Sequence, residues 1–222
     1  MIALTTPYLW YATRATGIAA MLLFTVVVCL GALVATRVGG TFIGRFEVNE
    51  IHRSISVTAV VFLVIHVATT VLDTFVSTGP ISAIVPFTSS YKTLPVSLGT
   101  VAFDLILAVW ISSMVKVRIR NVTWRFIHWF SWFAWAISLL HAYTTGTDAR
   151  KGVVFFAVLA CTVAGLGALT WRIFARPARA AGRTALSPLA HAPAPTRSTA
   201  PSHFPRVPVA QRPVRPSQRG RR

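Results

Sequence analysis

Between Arg14 and Arg37 the chain runs without a single charge, through ATGIAAMLLFTVVVCLGALVAT. Nothing else in the sequence restricts the fold as strongly. About 20 apolar residues are enough to cross a bilayer as a helix. In hydrocarbon every backbone polar group has to be satisfied within such a segment. Four further segments have the same character, so five spans are expected: Leu9 to Ala35, Ile51 to Val76, Val96 to Val115, Trp124 to Tyr143 and Gly152 to Phe174. The N-terminal run lacks a basic leader and is too long for a signal-peptide core, so it reads as a retained span. Pro80, Pro86 and Pro95 punctuate the connection between the second and third spans, where ISAIVPF reads as a short re-entrant or surface segment.

Composition agrees. The 222 residues are 54% hydrophobic and only 12% charged, against roughly a quarter charged in a soluble domain. The formal charge of +17 lies largely after Ile173, where no acid occurs. The expected fold is therefore all-α: a polytopic membrane helical bundle of about five transmembrane helices over residues 1–176, followed by a disordered Pro/Ala/Arg-rich basic tail over 177–222. Such a tail cannot bury a core. Its expected partner is anionic lipid head groups, at about 1 kcal/mol per basic residue near the surface, or it simply fixes topology. Nucleic acid is not the expected partner, because no folded module accompanies the charge. His191 and His203 lie in this tail and read as solvated.

Loop charge sets the orientation. Arg37 and Arg45, then Lys116, Arg118, Arg120 and Arg125, then Arg172, Arg176 and the tail, all fall on one side of a five-span serpentine. Lys92, Arg150 and Lys151, offset by Asp148, fall on the other. A multi-pass cell-membrane protein with its N-terminus outside and its C-terminus cytoplasmic is expected. Trp10, Trp124 and Trp171 sit near span ends, as interfacial aromatics do. Cys29 and Cys161 lie within apolar runs and read as small hydrophobes. There is no zinc spacing and no C-x-x-C-H for covalent haem attachment.

Four histidines stand inside the spans: His52 and His66 in the second, His128 and His141 in the fourth. Ionisable residues are costly in a membrane and tend to mark function. Both spans run in the same direction, and spacings of 14 and 13 residues correspond to a rise of roughly 20 Å along a helix. The histidines are therefore level in two pairs, His52 with His128 near the cytoplasmic face and His66 with His141 near the outer face. Two imidazoles from facing helices are a known axial ligand set for haem iron. Two such pairs would hold two b-type haems stacked across the membrane. Zinc needs its ligands gathered at one point, and these are too far apart along the axis. A proton relay or a satisfied hydrogen bond is the plainer role for any one of them. The helix angles add a demand: at about 100° per residue, His52 and His66 are some 40° apart but His128 and His141 about 140°. A kink, a π-bulge or differently angled haems in the fourth span would reconcile this.

The stretches HRSISVTAVVFLVIHV, VPFTSSYKTLPVSLG and WRFIHWFSWFAWAISLLHAYTTGTD together resemble the bacterial ferric reductase-like transmembrane proteins, whose membrane core is shared with ferric reductases and NADPH oxidases. The resemblance covers Trp10 to Phe174. It implies a helical bundle holding two b-type haems, with His52, His66, His128 and His141 as axial ligands of the iron. Two positions depart from the family pattern: Ser56 and Ala142 stand where glycine is often found. Family reductases often continue into a flavin and NADPH module, and no G-x-G-x-x-G follows a strand here. No flavin or NADPH site is expected on this chain, so the donor would be a separate cytoplasmic flavoprotein or a membrane quinol. The resemblance leans towards an oxidoreductase, with ferric iron as the family-level outer acceptor.

Basic residues are wanted by haem propionates. Arg53 and Arg125 are candidates at the inner level and Arg14 at the outer, with positive-inside topology and snorkelling as their plainer roles. Asp104, an acid inside the third span, is read as a partner of Arg14 or as a proton carrier. Trp132, Phe133 and Trp135 lie between the two levels, where packing alone also explains them. Three readings follow: a di-haem electron carrier, a haem-bearing quinone-reactive anchor subunit, and a haem-free scaffold or transporter with histidine proton relays.

Overall fold

The computed structural model describes residues 6–36, 44–73, 78–146 and 152–175. The expected charges at Arg37, Asp148, Arg150, Lys151 and Arg176, and the whole tail 177–222, lie outside the described residues. Five helices follow one another: α1 Thr6–Thr36, α2 Arg45–Leu72, α3 Thr93–Met114, α4 Asn121–Thr145 and α5 Gly152–Phe174. Single 3₁₀ turns occupy Pro80–Ala83 and Lys116–Arg118. No strand occurs among the described residues.

Hydroxyl side chains inside these helices are satisfied locally. Thr25, Thr70, Ser97 and Thr162 each donate to the carbonyl four residues back, at 2.9, 2.7, 2.6 and 2.8 Å. This is how an apolar medium tolerates them. Large apolar side chains turn outward on every helix, among them Val61, Val64, Phe133, Phe156 and Val163. A water-soluble bundle would bury them, so the chain is a multi-pass membrane protein. α1, α2, α3 and α5 are each long and apolar enough to cross a membrane. α4 has the length, but its histidines, hydroxyls and arginine lower its apolarity. Its histidines are tolerable because α4 packs against α1, α3 and α5, which places them against protein instead of lipid.

Close approach comes from small residues. Ala32, Ala59, Ala102 and Ala134 are nearly or fully inaccessible, as at tightly packed membrane-helix interfaces. At the centre Trp135 of α4 lies directly on Gly165 of α5, where an added Cβ would fall 2.0 Å from the indole. Its Nε1 donates to the Thr25 hydroxyl of α1 at 3.1 Å. One tryptophan thus ties three helices together. Trp132 and Trp135 are buried at 7% and 5% exposure, whereas Phe133 is 61% exposed. Phe133 therefore does not fill the space between the two histidine levels. At about 100° per residue it is turned well away from Trp132 and Trp135.

The cross-helix contacts fix direction. His66 meets Thr13 and His52 meets Val27, so α1 and α2 run opposite ways. His141 meets Pro95 and Trp124 meets Ser113, so α3 and α4 do as well. α2 and α4 are co-directional, and their histidines stand level. Between α2 and α3 the chain forms the turn at Pro80–Ala83, where Ile81, Ile84 and Phe87 point outward and Ser82 is buried. The Ser82 carbonyl accepts from the Thr100 hydroxyl at 2.6 Å, which pins this surface segment to α3.

Candidate functional site

The four histidines come together as two pairs. The ring centres of His52 and His128 are 6.4 Å apart, and those of His66 and His141 are 6.5 Å apart. α4 achieves this as uninterrupted α-helix from Asn121 to Thr145. Of the kink, the π-bulge and the differently angled haems that would reconcile the helix angles, the π-bulge is not used, and the offset between His128 and His141 is taken up without a change in the backbone hydrogen-bond pattern.

Three rings are held by a backbone carbonyl. His66 Nδ1 is 2.8 Å from the Thr13 oxygen, His52 Nδ1 3.1 Å from the Val27 oxygen, and His141 Nδ1 2.7 Å from the Pro95 oxygen. A carbonyl only accepts, so Nδ1 carries the proton and the Nε2 lone pair is left available. A hydrogen bond of this kind is the usual way to orient an imidazole and raise its basicity as a metal ligand. Space for the rings comes from glycine. A Cβ at Gly17 would lie 2.8 Å from His66 Cε1, at Gly99 2.7 Å from His141 Cε1, and at Gly31 3.3 Å from His52 Cε1. None of these glycines or carbonyls was singled out in the sequence. The only available signal was that Gly17 and Gly31 repeat at the spacing of His52 and His66.

His128 differs. Its Nδ1 is buried with no hydrogen-bond partner. The ring is instead stacked on Trp124, with centres 4.9 Å apart and planes at 26°. Lys116 Nζ lies 4.0 Å from the Trp124 ring centre, a cation–π contact. The Arg172 guanidinium lies 4.6 Å from the ring centre of Trp129, the residue after His128. Sequence reasoning took Trp124 as an interfacial aromatic and these two cations as topology signals. The direct relation of Trp124 to a histidine was not visible in the chain.

A cavity of about 460 Å³ opens beside His66 and His141, within the usual range for a small-molecule or cofactor pocket. Gly17, Gly99, Arg14 and the Pro80–Ala83 turn contribute to its wall. The Arg14 guanidinium stacks on the Trp10 ring, 4.4 Å from its centre. Arg14 thus stands at the level expected of it. Asp104 is not part of the cavity wall. Arg53 and Arg125 are exposed, on the same helices as His52 and His128.

No group of three or more His, Cys, Asp or Glu residues gathers among the described residues. A metal at either pair would have two protein donors and would need its remaining ligands from a cofactor. No curated protein and no solved structure matches the sequence. A family model described as "Ferric reductase like transmembrane component" matches residues 16–140, more than half of the chain and inclusive of His52, His66 and His128. With its paired intramembrane histidines and helical bundle, the chain belongs to the ferric reductase like transmembrane component family.

Proposed function

We propose that this protein is a di-haem b-type membrane cytochrome that carries electrons across the membrane. It would take them from a separate cytoplasmic flavoprotein or a membrane quinol and deliver them to an outer acceptor, with ferric iron the leading candidate. The observation that carries the proposal is the pair of ring separations. Imidazole nitrogens bind first-row metals at about 2 Å, and a ring centre lies about 1.1 Å behind its nitrogen, so two imidazoles on opposite sides of one metal have centres roughly 6.2 Å apart. The observed 6.4 and 6.5 Å fit one metal in each pair. His52, His66 and His141, with Nδ1 tied back, are suitable donors, and three glycines remove the side chains that would otherwise crowd them. A planar macrocycle would complete the coordination that two protein donors leave open.

His52 and His128 would hold one haem, and His66 and His141 the other. Arg14 would receive propionate charge at the cavity, and Arg53 and Arg125 at the opposite level. One-electron chemistry is supplied by the haem iron when bound. The chain's own part is ligation, orientation by carbonyls, and exclusion of water by the outward apolar shell. The carboxylate that a quinone-reactive anchor would use as a proton carrier, Asp104, lies off the cavity wall, which favours the electron-carrier reading.

Purified protein should contain two haems per chain and show b-type bands on reduction with dithionite. It should not be reduced by NADPH unless a flavoprotein is added. A spectrum without haem bands overturns the reading, and rapid reduction by NADPH alone overturns the separate donor.

A further inference from the structure

Three of the four histidines share one local device. His66 reaches the Thr13 carbonyl, and the residue four positions on is Gly17. His52 reaches Val27, and four on is Gly31. His141 reaches Pro95, and four on is Gly99. On a helix the residue at i+4 lies on the same face as residue i, and its Cβ tilts back towards it. A side chain at i+4 therefore stands beside the approach to the carbonyl at i. Glycine leaves that approach open.

The fourth position is different. Gly17 and Gly31 of α1 are 14 residues apart, and 14 residues after Gly99 of α3 comes Ser113. Its hydroxyl donates to the Val109 carbonyl at 2.8 Å, four residues back. The Ser112 hydroxyl donates to the same oxygen at 2.9 Å. The Trp124 Nε1 donates to the Ser113 hydroxyl at 3.4 Å, and the Trp124 ring covers His128. The carbonyl equivalent to those used by the other three histidines thus takes two hydroxyls, whereas the Thr13 carbonyl takes one, from Thr16 at 3.2 Å, beside His66, and His128 Nδ1 is left without an acceptor.

Resting on the di-haem reading above, we infer that Ser113 is a positioning residue that denies His128 its carbonyl and so raises the reduction potential at the His52–His128 pair above that at the His66–His141 pair. A hydrogen bond from Nδ1 makes Nε2 a stronger donor, which favours oxidised iron. His66 and His141 both have that bond, and His128 does not. Hydrogen bonding to an axial ligand is one of the protein's levers on haem potential. Lys116, held on the Trp124 ring that covers His128, acts in the same direction, since positive charge opposes the more oxidised iron.

The test is a spectroelectrochemical titration of the purified full chain with its haems bound. Wild-type protein should give two separate one-electron midpoints, and His128→Ala should remove the higher one. Ser113→Gly clears both the Cβ and the hydroxyl from the Val109 carbonyl. It should lower the higher midpoint by a tenfold change in the relative affinity for oxidised and reduced iron, about 59 mV, and leave the lower one in place. Ser113→Ala, a milder change that keeps the Cβ, should move it the same way by less. Adding Ser112→Ala to Ser113→Gly, which empties the carbonyl of both hydroxyls, should move it at least as far as Ser113→Gly alone. Two haems retained with no shift in any of these variants would overturn the role of Ser113 and leave the di-haem reading standing. An equal shift of both midpoints would overturn it too, as the mark of a generally loosened fold. Wild-type protein without haem would overturn both.

Discussion

The two histidine pairs have nearly the same ring separation, 6.4 and 6.5 Å, but very different surroundings. At the His66–His141 pair both rings are tied to carbonyls at 2.8 and 2.7 Å, both rest over glycine, and a cavity lies beside them. At the His52–His128 pair one ring is tied at 3.1 Å, and the other is held by a stacked indole beneath a lysine. The lesson is that ligand identity and spacing do not make two sites equivalent. Outer partners orient a ligand and set its donor strength, and here they differ between levels of one bundle.

The largest effects should come from the ligands. His66→Ala and His141→Ala should each remove the same haem, and the double variant should lose little more than either single one. His52→Ala and His128→Ala should do the same for the other haem. Residues acting as one unit are non-additive, whereas independent sites add. Haem-to-protein ratios of the singles and doubles check this. If His52→Ala with His66→Ala left one intact haem, both ligands of a haem would lie on α2, and the comparison between levels would collapse.

Smaller effects should come from the glycines. Gly17→Ala and Gly99→Ala put a Cβ 2.8 and 2.7 Å from a histidine ring atom, closer than ordinary contacts allow, whereas Gly31→Ala leaves 3.3 Å. The first two should weaken retention of the His66–His141 haem by about ten- to a hundredfold, the usual cost of disturbing an outer-shell partner. Gly31→Ala should weaken the other haem by less. Haem-transfer assays to an apoprotein acceptor would measure the order, and a larger loss from Gly31→Ala would show that the tighter packing lies at the His52–His128 level.

Trp124→Leu should have the smallest effect and the most local one. It removes the ring stacked on His128 and the surface on which Lys116 rests, while His66 and His141 keep their carbonyls. The reduced spectrum of one haem should shift or broaden and the other stay unchanged, with a loss of haem affinity of a few-fold, in keeping with about 0.5–1.5 kcal/mol for an aromatic contact. Equal changes in both haems would mean that Trp124 supports the bundle and not one site.

Much of this protein was readable from the chain alone. Five helices, their approximate ends and the level pairing of four histidines follow from hydropathy and from the rise of a helix, both properties of the sequence along one dimension. The α5 limits coincide with the expected span, and α2 begins earlier, at Arg45, and ends at Leu72 with Asp73 as its cap. What the chain could not disclose depends on how each helix is rotated against its neighbours. That rotation turned Trp135 onto Gly165 and Phe133 outward, and left Asp104 off the cavity wall. It also chose Thr13, Val27 and Pro95 as the carbonyls for three histidines, and set Ser113 on the carbonyl equivalent to theirs. Hydropathy says only that a helix is buried in lipid or protein. Which atom meets which is a pairwise matter between distant segments, settled by side-chain packing when the helices associate.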